Sequence, residues 1–117
     1  MTLTTDEDGD TTNVTVQQLE AALAGDAFGK FAVLSDSDDS FVQAGNAWEP
    51  GANCERFLKR HDSDPWVLEY REAESGTQYR VVGWVTLAHV VATFRAYLGG
   101  DPNWHAEYEW EVLETDD

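Results

Sequence analysis

Between Trp66 and Val82 the sequence alternates apolar and polar residues twice across a short break. Trp66, Leu68 and Tyr70 share one parity, and Val67, Glu69 and Arg71 share the other. After Glu74-Ser75-Gly76, Tyr79 and Val81 alternate with Gln78 and Arg80. A period of two marks strands with one buried face, and so short a connection joins antiparallel neighbours only. Thr86 then caps a helix whose Leu87, Val90, Val91, Phe94, Tyr97 and Leu98 form one stripe. Gly99-Gly100 stops it, with Pro102 just beyond. A hairpin followed by an amphipathic helix has one economical solution: the helix covers the apolar face of an antiparallel sheet.

The remaining segments extend this pattern. Thr15 and Gln18 make a capping box before Val16, Leu19 and Leu23, which predicts a short helix ended by Gly25. Lys30–Leu34 and Phe41–Ala44 read as strands joined at Asp36–Ser40. Pro50-Gly51 suits a type II turn. Glu55–His61 reads as a further strand, Asp62–Pro65 as a turn, and His105–Val112 as a last strand. In that strand Tyr108, Trp110 and Val112 alternate with Glu107, Glu109 and Glu111. The expected order is α-β-β-β-β-β-α-β. It implies an α+β two-layer sandwich, a mainly antiparallel sheet of five to six strands covered on one face by two helices. Residues 13–114 form the single domain. Residues 1–12 are expected to be a disordered acidic tail, and 115–117 a second short acidic tail.

Length permits one such domain. For 117 residues and 13.1 kDa, folding reduces about 19,000 Å² of extended surface to roughly 6,400 Å², enough for a disulfide-free core. The lone cysteine, Cys54, cannot make an internal disulfide and favours a reducing, cytoplasmic setting. No apolar run is long enough to span a membrane, and the polar N-terminus is no signal peptide. With 23 acidic and 7 basic residues, the net charge is −16. This excludes a free-standing binder of nucleic-acid backbone, which needs cations to neutralise phosphates. The acids are spread along the chain and lysine occurs only at positions 30 and 59. That composition resembles the cytoplasmic proteins of salt-in extreme halophiles. The competing reading is that the acidity recognises a basic partner or mimics DNA.

Candidate chemistry is sparse. Arg56, Arg60, Arg71 and Arg80 are four of the five arginines. If Phe57 points inward, parity sends all four, with Glu107, Glu109 and Glu111, to the solvent face of the sheet. Such a platform would hold an anionic group or a partner loop. The alternative is that cross-strand Arg–Glu pairs merely neutralise the sheet. Trp48 and Trp104, with His105 beside it, fall in loops, where tryptophans anchor interfaces or plug the open end of a sandwich. Asp36-x-Asp38-x-Ser40 and Asp6-x-Asp8-x-Asp10 open like calcium loops but lack the glycine at position six and the glutamate at position twelve. His61, His89 and His105 lack ligand spacing, and His105-Ala-Glu107 has no downstream Cys pair to complete a zinc deaminase site. No serine sits in a nucleophile elbow, and nothing local activates Cys54. The sequence thus offers no catalytic residues, no metal ligands and no cofactor signature.

Residues 66–114, with their tyrosine-bearing hairpin, the helix end Tyr97-Leu-Gly-Gly-Asp101 and the spaced Trp104 and Trp110, resemble the C-terminal half of small bacterial immunity-type α+β proteins. Residues 31–45 resemble their opening hairpin. The resemblance implies a non-catalytic protein that binds and blocks a toxin domain. The expected function is therefore a non-enzymatic interaction module with a protein partner and no membrane association, and the strand edges leave a homodimer open. The alternative is a small-molecule-binding protein or enzyme with a pocket near the arginine-bearing face.

Overall fold

A computed structural model of the chain describes residues 1–24, 29–37, 40–73 and 76–113. Its strands are β1 (Thr2–Thr5), β2 (Gly9–Thr11), β3 (Phe31–Ser37), β4 (Ser40–Asn46), β5 (Trp66–Arg71), β6 (Gln78–Val81) and β7 (Trp110–Val112). The helices are α1 (Val16–Leu23), α2 (Ala52–His61) and α3 (Leu87–Leu98). The fold is α+β. The described strands form one open antiparallel sheet in the order β2-β1-β3-β4-β5-β6-β7. Among the described residues, seven strands and three helices replace the five to six strands and two helices expected.

The register explains the two faces. Leu3, Leu34, Val42 and Tyr70 lie opposite one another across β1, β3, β4 and β5. All four are buried, as are Trp66 and Leu68 on the same face of β5. Leu19 and Leu23 of α1 and Val90 and Phe94 of α3 bury against them. Helix α1 carries the expected capping box, and Thr86 caps α3 as expected, with His89 completing a box there. Thr15 accepts from the Gln18 amide at 3.1 Å, and Thr86 accepts from the His89 amide at 3.2 Å.

Three expectations are overturned. The first is the disordered tail: residues 2–11 form the β1–β2 hairpin. Thr2 and Thr4 alternate with Leu3 and Thr5, a β-branched pattern that suits a half-buried strand. The Asp6 carboxylate accepts from the Lys30 amide at 3.1 Å, which ties the end of β1 to the start of β3. Gly29 is required there. Its φ is +98°, and a Cβ would lie 2.7 Å from the Asp6 side chain.

The second is the strand over 55–61, which is the helix α2. Glu55 sits in the first turn and Lys59, Arg60 and His61 in the last, complementing the helix dipole at both ends. Asp62 closes it in a left-handed conformation, its N–H donating to the Leu58 carbonyl at 2.8 Å. Cys54, buried, anchors the helix start by accepting from the Glu49 amide at 3.4 Å.

The third is the strand from His105, which begins only at Trp110. Residues 101–108 run through successive turns, because Trp104, His105 and Trp110 all turn toward Tyr70. The expected helix stop at Gly25, the turn centre at Asp38-Asp39, Glu74-Ser75 and the 115–117 tail lie outside the described residues. Within them, α1 ends at Leu23, with Ala24 in an extended conformation.

Candidate surface on the open sheet face

The helices α1 and α3 cover one face of the sheet. The other face carries a row of residues fixed by register: Thr4, Val33, Gln43, Glu69, Arg80 and Glu111. Hydrogen bonds knit the middle of this row. Gln43 Nε2 donates to Glu69 Oε2 at 2.6 Å, and Arg80 Nε donates to Glu69 Oε1 at 3.1 Å. Glu111 lies directly across from Arg80. At the far edge Thr4 Oγ1 donates to an Asp10 carboxylate oxygen at 2.6 Å. Arg80 is therefore neutralised by cross-strand carboxylates, as the pairing alternative anticipates.

Apolar groups flank the row. Phe31 and Trp84 are exposed large side chains on this side, and Val33 and Val67 lie between them on the sheet. Together with the polar row they line a shallow groove of about 610 Å³. Its floor is the sheet, its ends are aromatic, and its centre holds one cation between two carboxylates.

The four arginines do not form one platform. Arg71 and Arg80 are on the open face, but Arg71 sits at the β3–β4 hairpin end, opposite Phe41. Arg56 and Arg60 are on α2, beyond the other end of β5, roughly 17 Å away along the strand. The cause is local: a helix, not a strand, connects β4 to β5. Arg56 Nη2 donates to Asn53 Oδ1 at 2.7 Å, and its Nε to the Ala52 carbonyl at 3.3 Å. Of the glutamates expected beside the arginines, only Glu111 lies in a strand.

Of the two loop tryptophans, Trp104 takes the plug alternative. Trp104 packs edge-on against Tyr70 at 4.9 Å and Tyr97 at 5.0 Å, and stacks on His105 at 4.9 Å. Trp104 thus closes the gap between α3 and the sheet, and His105 belongs to the same cluster. Trp48 is half-buried in the β4–α2 loop, its backbone amide donating to Asn46 Oδ1 at 2.7 Å. Trp84 was not anticipated. It follows Gly83, whose φ of +82° turns the chain out of β6. The only sequence signal for it is that glycine directly after a strand.

The aromatic cluster holds the perturbed groups. Burial, then the neighbouring Glu72 and Tyr79, pushes the Tyr70 hydroxyl up to about 12. Burial, then Asp36, raises that of Tyr97. Both hydroxyls stay protonated at neutral pH. Among the described residues no three His, Cys, Asp or Glu side chains converge in a way that would hold a metal ion, and no helix is long and apolar enough to cross a membrane. Comparison with protein-family models, curated proteins and solved structures finds no match to this chain.

Proposed function

We propose that this chain is a small, salt-adapted, non-enzymatic interaction module that presents its open sheet face to a basic protein partner. One observation carries the reading: an uncovered face with exposed aromatic side chains at its ends and a fixed hydrogen-bonded polar row at its centre. Exposed aromatics on a rigid scaffold are the anchors that protein interfaces use. The charge supports a basic partner, since the row holds Glu69 and Glu111 against Arg80 and the whole chain is at −16. A partner blocked in the manner of immunity-type proteins would fit this description. The dispersed acidity and the single cysteine support a cytoplasmic setting rich in salt.

The groove volume favours one second reading, a small ligand held near Arg80, because about 610 Å³ falls within the range of ligand sites. Capture from lysate in multi-molar KCl separates the two. A stoichiometric basic protein retained by the wild type and by Val16→Asp on α1, but lost with Phe31→Asp, supports the interaction reading. Equal capture by wild type and Phe31→Asp contradicts it.

A further inference from the structure

The charge of this chain is uneven in one place. Arg56, Lys59 and Arg60 are three of its seven Lys and Arg residues and fall within five positions of α2. The only acid on that helix is Glu55. Of the other cations, Arg80 pairs with Glu69 and Arg95 with Glu20 at 2.9 Å. Among the described residues Arg56 and Arg60 have no carboxylate partner. They stand one helical turn apart, and Asn53 precedes Arg56 by three residues, so the three share one stripe. Asn53 and the Ala52 carbonyl already hold the Arg56 guanidinium in place. Fixing it beforehand lowers the entropy cost of binding an anion.

A ring surface adjoins the cations. Trp84 meets Phe57 edge-on at 5.6 Å, and Phe57 lies 4.4 Å from His61. Trp84 is nevertheless 39% exposed. Asn53, Arg56, Phe57, Arg60, His61 and Trp84 line a cleft of about 350 Å³. Two guanidinium groups, an amide and an exposed indole are the elements that recognise a phosphate attached to a flat ring.

We propose that this cleft binds a small planar phosphomonoester, of which a mononucleotide is the type. Arg56 and Arg60 grip the phosphate, and the exposed face of Trp84 stacks on the ring. The cleft's small volume and the acidity of the rest of the molecule select against long polyanions, which would have to cross carboxylate-rich surface. The site shares Trp84 with the sheet-face groove, but neither arginine belongs to that face, so loss of ligand binding in the arginine variants is separable from loss of partner capture in Phe31→Asp.

The test uses adenosine monophosphate as probe, followed through backbone amide resonances in about 1 M KCl, where a Debye length of about 3 Å leaves contact interactions and stacking. The expected result is saturable shifts confined to α2 and the Gly83-Trp84 segment. Arg56→Gln with Arg60→Gln should weaken binding at least about tenfold, and adenosine or inorganic phosphate alone should each bind at least about tenfold more weakly. Both arginines are exposed, so melting of the double variant should match the wild type and keep the comparison valid. Unchanged binding by the double variant overturns the proposal. So does tighter occupancy of the same resonances by a hexaglutamate peptide, which would make α2 a dock for acidic protein segments.

Discussion

Trp84, Trp104 and Tyr70 show how far a residue's role depends on its neighbours. Trp104 sits in a loop yet is committed to the interior, held edge-on by Tyr70 and Tyr97. Trp84, one residue beyond a strand-ending glycine, is the tryptophan left to face solvent at the groove. Tyr70 carries the clearest titration signature. Its ionisation is pushed up to about 12, so between about 10 and 12 the unfolded chain loses this proton while the folded chain keeps it. The contribution is complete below pH 10 and vanishes as pH rises through the folded value. The raised Tyr97 acts in the same direction. Stability should therefore fall steadily above pH 10. Tyr70→Phe, which keeps the ring stacked on Tyr79 at 4.7 Å, should flatten that fall. Denaturant midpoints at several alkaline pH values check this. An unchanged slope in Tyr70→Phe would assign the alkaline loss to other groups.

At the scale of elements, legibility followed periodicity. The two hairpin arms at 66–82 and the stripe from Leu87 to Leu98 were readable because each buries one face, and burial imposes the period. Helix α2 was not readable as a helix. It is peripheral and its stripe is short: Cys54, Phe57 and Leu58 stand at i, i+3 and i+4, but only Cys54 is buried. Residue propensity was the better guide there, since Glu, Arg, Leu and Lys all favour helix. The β1–β2 hairpin was hidden for another reason. It offers only Leu3 and Met1 as apolar residues among its acids and threonines, and tertiary pairing with β3 supplies the rest. Leu3 is 1% exposed, so Leu3→Ala should cost about 2–5 kcal/mol in urea unfolding. A disordered tail would give a change near zero. The misplacement of α2 also explains the dispersal of the arginines. A strand would have set Arg56 and Arg60 beside Arg71 and Arg80; a helix carried them past the end of the sheet.

Among the described residues the molecule is a sheet with one face covered by α1 and α3 and one face without a covering helix, and the chain carries a net charge of −16. Both edge strands, β2 and β7, are three residues long, and acids stand beside or within them. Short, charged edges resist further strand pairing. Repulsion at −16 should make the melting temperature climb from dilute to multi-molar KCl. A flat or falling midpoint would remove the salt-adaptation reading and leave the acidity to partner recognition alone. On the proposed reading, the polar row and the exposed Phe31 and Trp84 mark the bare face as the surface a partner would cover. Hydroxyl-radical footprinting of the complex with the captured basic partner tests this most directly. Protection of Phe31, Val33 and Trp84, with Val16 on α1 labelled as in the free protein, is the predicted outcome. Protection over α1 and α3 with Phe31 and Val33 unchanged would contradict it.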